Sequence, residues 1–158
     1  MSFFHIFVKT KILFMDHFIQ KFHSAWAYLA LLMLVIAVIN AVIGLLSKKE
    51  FTSKDRKIAL FALIAIHIQF LVGIILYFVS PNGLQMIKAV GMGGLTTESR
   101  LLALEHPLIN IIAITLITIG WSKHKRLSNS ESKFKTFAIF YGLGLVLILS
   151  RIPWKIWM

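Results

Sequence analysis

The sequence predicts an all-α fold: a polytopic membrane four-helix bundle, up-down-up-down, with an N-terminal amphipathic interfacial helix. Three observations predict it. The 158 residues are 58% hydrophobic, beyond the roughly half usual in soluble domains, and the mean hydropathy is +0.83. Four apolar runs read as membrane spans, three of them reaching the about 20 residues that a membrane-spanning helix needs and the fourth somewhat shorter. Basic residues gather at the ends of those runs, where they touch anionic headgroups and set topology. At this length the chain reads as one transmembrane domain, residues 23–158, preceded by an interfacial segment, residues 1–22.

The elements follow in order. Val8, Ile12, Met15, Ile19 and Phe22 recur at helical spacing, with Lys9, Asp16, Gln20 and Lys21 largely opposite. That pattern reads either as an amphipathic helix in the interface or as a continuation of the first span. The first residues lack the charged start, apolar stretch and small-residue cleavage site of a secretory signal, so the N-terminus is expected to be retained. The first span is residues 25–46 and the second residues 58–79. "TSKD", Thr52 to Asp55, fits a capping box at the start of the second helix, and "SPNG" marks its stop. The third span is residues 101–121, with Thr97 in "LTTESR" as the expected N-cap. The fourth is residues 137–152, stopped by Pro153 in "SRIPW".

Charge bias orients these spans. Lys48, Lys49, Lys54, Arg56 and Lys57 lie in the first loop, and Lys123, Lys125, Arg126, Lys133 and Lys135 in the third. The second holds only Lys88 and Arg100. Loops one and three are therefore expected in the cytoplasm and both termini outside. The net charge of +11 is explained by these rims, and no aromatic-basic interleaving suggests nucleic acid. The absence of cysteine excludes disulfides, thiolate metal sites and cysteine nucleophiles. Neither a nucleophile elbow nor a His-Glu-x-x-His motif occurs, which argues against a hydrolase. A transporter using Glu105 would call for broken paired helices or an inverted repeat, and neither is evident. No catalytic residue is expected. On these grounds the chain reads as a subunit rather than a stand-alone enzyme.

Ionisable residues inside spans are costly and usually functional. His5, His17 and His124 lie outside the spans and read as solvated. His23, His67 and His106 belong to them. His23 heads a stripe of small residues: Ala27, Ala30, Leu34, Ala37, Ala41 and Gly44. Such a stripe serves close helix contact or leaves room for a flat cofactor. His106 lies on the stripe Ala103, Asn110, Ala113, with Glu105 about 100° round the helix. The second helix carries Ala62, Ala65, Gln69 and Gly73 on one stripe, with His67 nearly opposite Gln69.

In an up-down-up-down bundle the first and third helices are diagonal, so His23 and His106 face each other across the core. Two opposed imidazoles suit axial ligation of haem iron. Glu105, Asn110 or a backbone carbonyl would hold the other ring nitrogen, and Arg100 and Arg151 lie where haem propionates need cations. A pair His67–His106 is equally open. Trp26, Trp154, Tyr28 and Tyr77 fit an interfacial belt.

"HSAWAYL", "HIQFLVGIILYFVSP", "RLLALEHPL" and "SRIPW" together resemble a family of small bacterial four-helix integral membrane proteins commonly labelled cytochrome b. The resemblance spans His23 to Trp154. Many relatives read His-Ser-Gly-Leu-Arg-Trp at the first motif; here Ala25 and Trp26 follow His-Ser and the arginine is absent. The resemblance implies b-type haem bound by histidines and points to His23, His67 and His106. It also implies a bacterial inner-membrane location. The expected partners are lipids, quinone and other respiratory subunits. The alternative is a haem-free accessory or assembly subunit of a larger membrane complex, its histidines serving as interhelical hydrogen-bonding groups.

Overall fold

A computed structural model describes the backbone from Phe3 to Trp157 and the side chains from Met15 to Trp157. Among the described residues the chain is all helix and turn: α1 (Phe3–Leu46), α2 (Ser53–Val79), α3 (Leu84–Val90), α4 (Thr97–Arg100), α5 (His106–His124), α6 (Ser130–Ser150) and α7 (Trp154–Trp157). A five-residue π-helical turn, Leu101–Glu105, joins α4 to α5. Four helical stretches are long and apolar enough to cross a membrane: Met15–Leu46, Ser53–Val90, Thr97–His124 and Ser130–Ser150.

The packed pairs are α1 with α2, α1 with α6, α5 with α6, and α2 with α5. That ring places α1 and α5 on opposite corners. Small side chains let α1 and α2 approach closely: Ala30, Ala37 and Ala41 on one, Ala59, Ala62 and Ala65 on the other, all buried. Bulk comes from α6, whose Phe134, Phe137 and Tyr141 are buried. Two cross-links reach unused lone pairs on α2: Trp26 Nε1 donates to the Ala65 carbonyl at 3.0 Å, and the Tyr141 hydroxyl to the Ala59 carbonyl at 3.1 Å. Gly144 lets α5 and α6 touch, since a Cβ there would sit 2.6 Å from Ile117 Cγ1 and 3.3 Å from the Ala113 carbonyl. Outward faces carry Leu32, Ile39, Phe61, Leu71 and Val146, all exposed, as expected of helices whose solvent is hydrocarbon.

Several local expectations change. The α1 backbone runs unbroken through His23, so the segment before the first span is helical and continuous with it. Val8, Lys9 and Ile12, which helped define its amphipathic face, lie outside the described side chains. The N-cap of the third helical stretch is Thr96, not Thr97; its side chain accepts from the Ser99 N–H at 3.3 Å. The fourth helix begins at Ser130, not 137, because Asn129 caps it through the Ser132 N–H at 2.7 Å. Its polar first turn hid that start from an apolar-run criterion. It ends at Ser150, before Pro153, and a short turn follows. At α2, Asp55 accepts from the Thr52 N–H at 2.9 Å and the Thr52 hydroxyl at 2.6 Å, the acid half of the expected box. Lys49 and Asn40 complete the shell of this buried carboxylate at 2.6 and 3.1 Å.

Candidate functional site

The site is built around Pro107. Proline has no N–H to give the carbonyl four residues back, and its ring crowds that carbonyl. The helix widens just before it: the His106 N–H reaches Leu101 O, five residues back, closing the π turn. Such a bulge re-aims the side chains around it. Here Glu105 and His106 are sent to different partners.

His106 turns toward the end of α6. Its Nδ1 lies 2.8 Å from the Arg151 carbonyl, which can only accept, so Nδ1 carries the proton. Asn110, one turn on, donates to the His106 carbonyl at 2.7 Å. The same amide nitrogen lies 3.3 Å from Nδ1, a contact that a protonated Nδ1 cannot accept. The ring is thus fixed in one tautomer with Nε2 bearing the lone pair, the arrangement that outer partners impose on metal-ligating histidines.

Glu105 makes no hydrogen bond to His106 itself. Its carboxylate lies 3.0 Å from Arg100 Nε and 3.3 Å from Arg151 Nε. The two arginines expected to be available for propionates are both paired with it. Arg151 therefore serves twice: its guanidinium meets Glu105 and its carbonyl meets His106.

His23 reaches the same level from α1. Gln69 on α2 donates to the His23 carbonyl at 3.1 Å and lies 3.2 Å from His23 Nε2. His23 Nδ1 is buried and has no partner, and neither has Gln69 Oε1. Gly73, one turn past Gln69, abuts the ring: a Cβ there would lie 3.1 Å from His23 Cε1. The His23 and His106 rings have centroids 6.4 Å apart at an interplanar angle of 81°.

The remaining histidines fall elsewhere. His67 Nδ1 is 2.7 Å from the Leu63 carbonyl of its own helix, and its Nε2 is 3.3 Å from the Thr118 hydroxyl on α5. It is not brought to the pair. His17 is exposed, and the His5 side chain lies outside the described residues. His124 is not solvated, contrary to expectation: it is buried among Phe51, Trp121 and Phe137, with Nδ1 bonded to the Trp121 carbonyl. The connector after α1 folds Phe51 over it, a long-range contact that its basic sequence neighbours concealed. Gln69 and Gly73 were visible only as members of a small-residue stripe. Their contact with His23 needs the helix rotation that packing supplies. Trp26, which fits an interfacial belt, also donates from one helix to the next.

An imidazole–metal bond is about 2 Å long, so two imidazoles facing across one metal ion have ring centroids about 6 Å apart. The observed 6.4 Å is of that order, in an edge-to-face contact of the two rings. Among the described residues no group of three or more His, Cys, Asp or Glu is placed to hold a metal ion. A metal at this pair needs its other donors from a cofactor, and a porphyrin brings four nitrogens. The space beside Gly73 is filled by the His23 ring. Two grooves lie at the opposite, basic end of the bundle. No family model, curated protein or solved structure matches this chain.

Proposed function

We propose that this chain is a multi-pass b-type haem protein of electron transfer in a bacterial inner membrane, with His23 and His106 as the residues that would hold the haem iron. The four spans run up-down-up-down, with loops one and three in the cytoplasm and both termini outside. The observation that carries this reading is the meeting of two imidazoles from diagonal helices at 6.4 Å, with the His106 tautomer fixed by the Arg151 carbonyl. The Gln69 amide donates at His23 Nε2, which leaves the His23 ring proton on Nδ1, so His23 would ligate only once that contact is released. When bound, haem supplies a one-electron iron couple whose potential follows its ligands and surroundings. The chain's own contribution is positional. The Arg151 carbonyl holds the His106 proton at Nδ1, Gln69 holds His23 from below, and Glu105 fixes both arginines beside the pair. Quinone and other respiratory subunits are the expected redox partners. His67, held by Leu63 and Thr118, serves helix packing in this reading.

A specific observation also favours the haem-free alternative. Glu105, His67 and His106 each have a protein partner, as buried cross-links of an accessory subunit would. A reduced-minus-oxidised spectrum of the purified protein, with pyridine haemochrome quantification, separates the two. The haem reading expects a b-type α-band near one haem per chain, lost in His23→Ala and His106→Ala and kept in His67→Leu. A colourless, folded protein refutes it and leaves the accessory role.

A further inference from the structure

The described ion pairs tie up Lys49, Arg100 and Arg151 only. Most of the positive charge at the other end of the bundle is therefore uncompensated. Part of it converges on one groove of about 310 Å³ lined by Phe51, Arg56, His124, Lys125 and Lys133. These residues come from four places in the chain: the connector after α1, the first turn of α2, the end of α5 and the first turn of α6. The groove is a product of tertiary packing, unlike the neighbouring one, which α5 and the residues just after it line alone.

Its cations are held in position. Arg56 and Lys125 lie over the Trp121 ring at 5.8 and 5.2 Å, and Lys133 lies over the Phe51 ring at 5.5 Å. Cation–π contact restrains a side chain without neutralising it. No carboxylate lines the groove. Glu131, the acid nearest Lys133 in sequence, is not among its residues, and Asp55 next to Arg56 is taken by Lys49. The His124 and Phe51 rings give the groove an aromatic wall. Three fixed cations without a counter-charge around one concavity call for a compact anion with several acceptor oxygens.

We infer that this groove binds a phosphate group, and that in the membrane the phosphate is that of an anionic lipid headgroup. The groove lies where the apolar spans give way to basic connectors, the depth at which headgroups sit. A free phosphate shares the chemistry and is distinguished by the test.

The test is isothermal titration of the full-length protein in a neutral maltoside detergent. The probes are dioctanoyl phosphatidylglycerol, dioctanoyl phosphatidylcholine and inorganic phosphate. Phosphatidylglycerol is expected to bind and phosphatidylcholine to bind far more weakly. Arg56→Gln with Lys133→Gln should weaken binding about tenfold per cation removed. The charge-conserving exchange Arg56→Lys with Lys133→Arg should keep it. Lys54→Gln with Lys57→Gln, outside the groove, should match the unaltered protein. If inorganic phosphate binds as tightly and competes, the groove is a phosphate site but the lipid assignment is overturned and the ligand is a soluble phosphate. Equal binding of both lipids, or equal effects of the groove and control pairs, overturns it. Thermal midpoints of all variants establish that each is folded.

Discussion

Replacing Glu105 by glutamine tests whether this carboxylate organises the histidine pair from one residue away. It holds Arg100 Nε at 3.0 Å and Arg151 Nε at 3.3 Å. The glutamate side chain is 34% exposed and the arginines 51% and 46%, so solvent screens both bridges and each counts for about 0.5–1 kcal/mol. Glutamine keeps one carbonyl oxygen for one guanidinium but removes the charge. The expected loss is about 1 kcal/mol, rising to about 2 kcal/mol if both contacts are lost. For a chain of this size that lowers the thermal midpoint by roughly 2–8 °C. The effect does not stop at the bridge. Arg151 also supplies the carbonyl that accepts from His106, so freeing its side chain loosens the grip on the imidazole. Thermal unfolding in detergent, read by tryptophan fluorescence, gives the stability term. A double-mutant cycle with Arg151→Gln isolates the pair, with an expected coupling of about 0.5–1 kcal/mol. In the haem reading, Glu105→Gln also lowers haem occupancy, because His106 is held less firmly. An unchanged midpoint together with a strictly additive cycle would refute the organising role.

Three further predictions concern the frame around the site. Gly144→Ala should destabilise the α5–α6 contact by about 1–3 kcal/mol through overpacking. Ile117→Ala alone empties a buried site and should cost about 2–5 kcal/mol, so the clash is read from a double-mutant cycle in thermal unfolding: the double variant should lose less than the two singles together, and strict additivity would place the clash elsewhere. Trp26→Phe removes the donor to the Ala65 carbonyl and should cost about 1 kcal/mol, the scale of an interhelical hydrogen bond in a membrane. An unaltered midpoint would show that the bond contributes nothing net. Asp55→Asn removes the charge from a buried carboxylate contacted by Lys49, Thr52 and Asn40. It should cost about 3 kcal/mol, seen as a marked drop in midpoint and folded yield, and a loss below 1 kcal/mol would contradict the shell described here.

The sequence alone determined the class of the protein and the raw material of its site. Hydrophobic runs of span length leave only helices as a way to satisfy the backbone in lipid, so the all-α architecture followed from composition and period. The stripes through Ala30, Ala37 and Ala41 and through Ala62 and Ala65 marked the faces that are now buried, because a 3.6-residue period fixes which side chains share a face. Only tertiary structure decided which histidines meet. His23 and His106 belong to helices that are not neighbours in sequence. Their encounter depends on the rotation and relative depth of two rods, which no local pattern encodes. The same rotation carries His67 to Thr118 and Gln69 to His23. The widened turn before Pro107 belongs partly to each level: the proline announced a disturbance, but its form, which sends Glu105 to the arginines and His106 to the Arg151 carbonyl, required α6 to be in place. His124 shows the opposite limit. Its basic neighbours spoke for water, and burial came from Phe51, 73 positions away in the chain, through a contact that exists only once the helices are assembled.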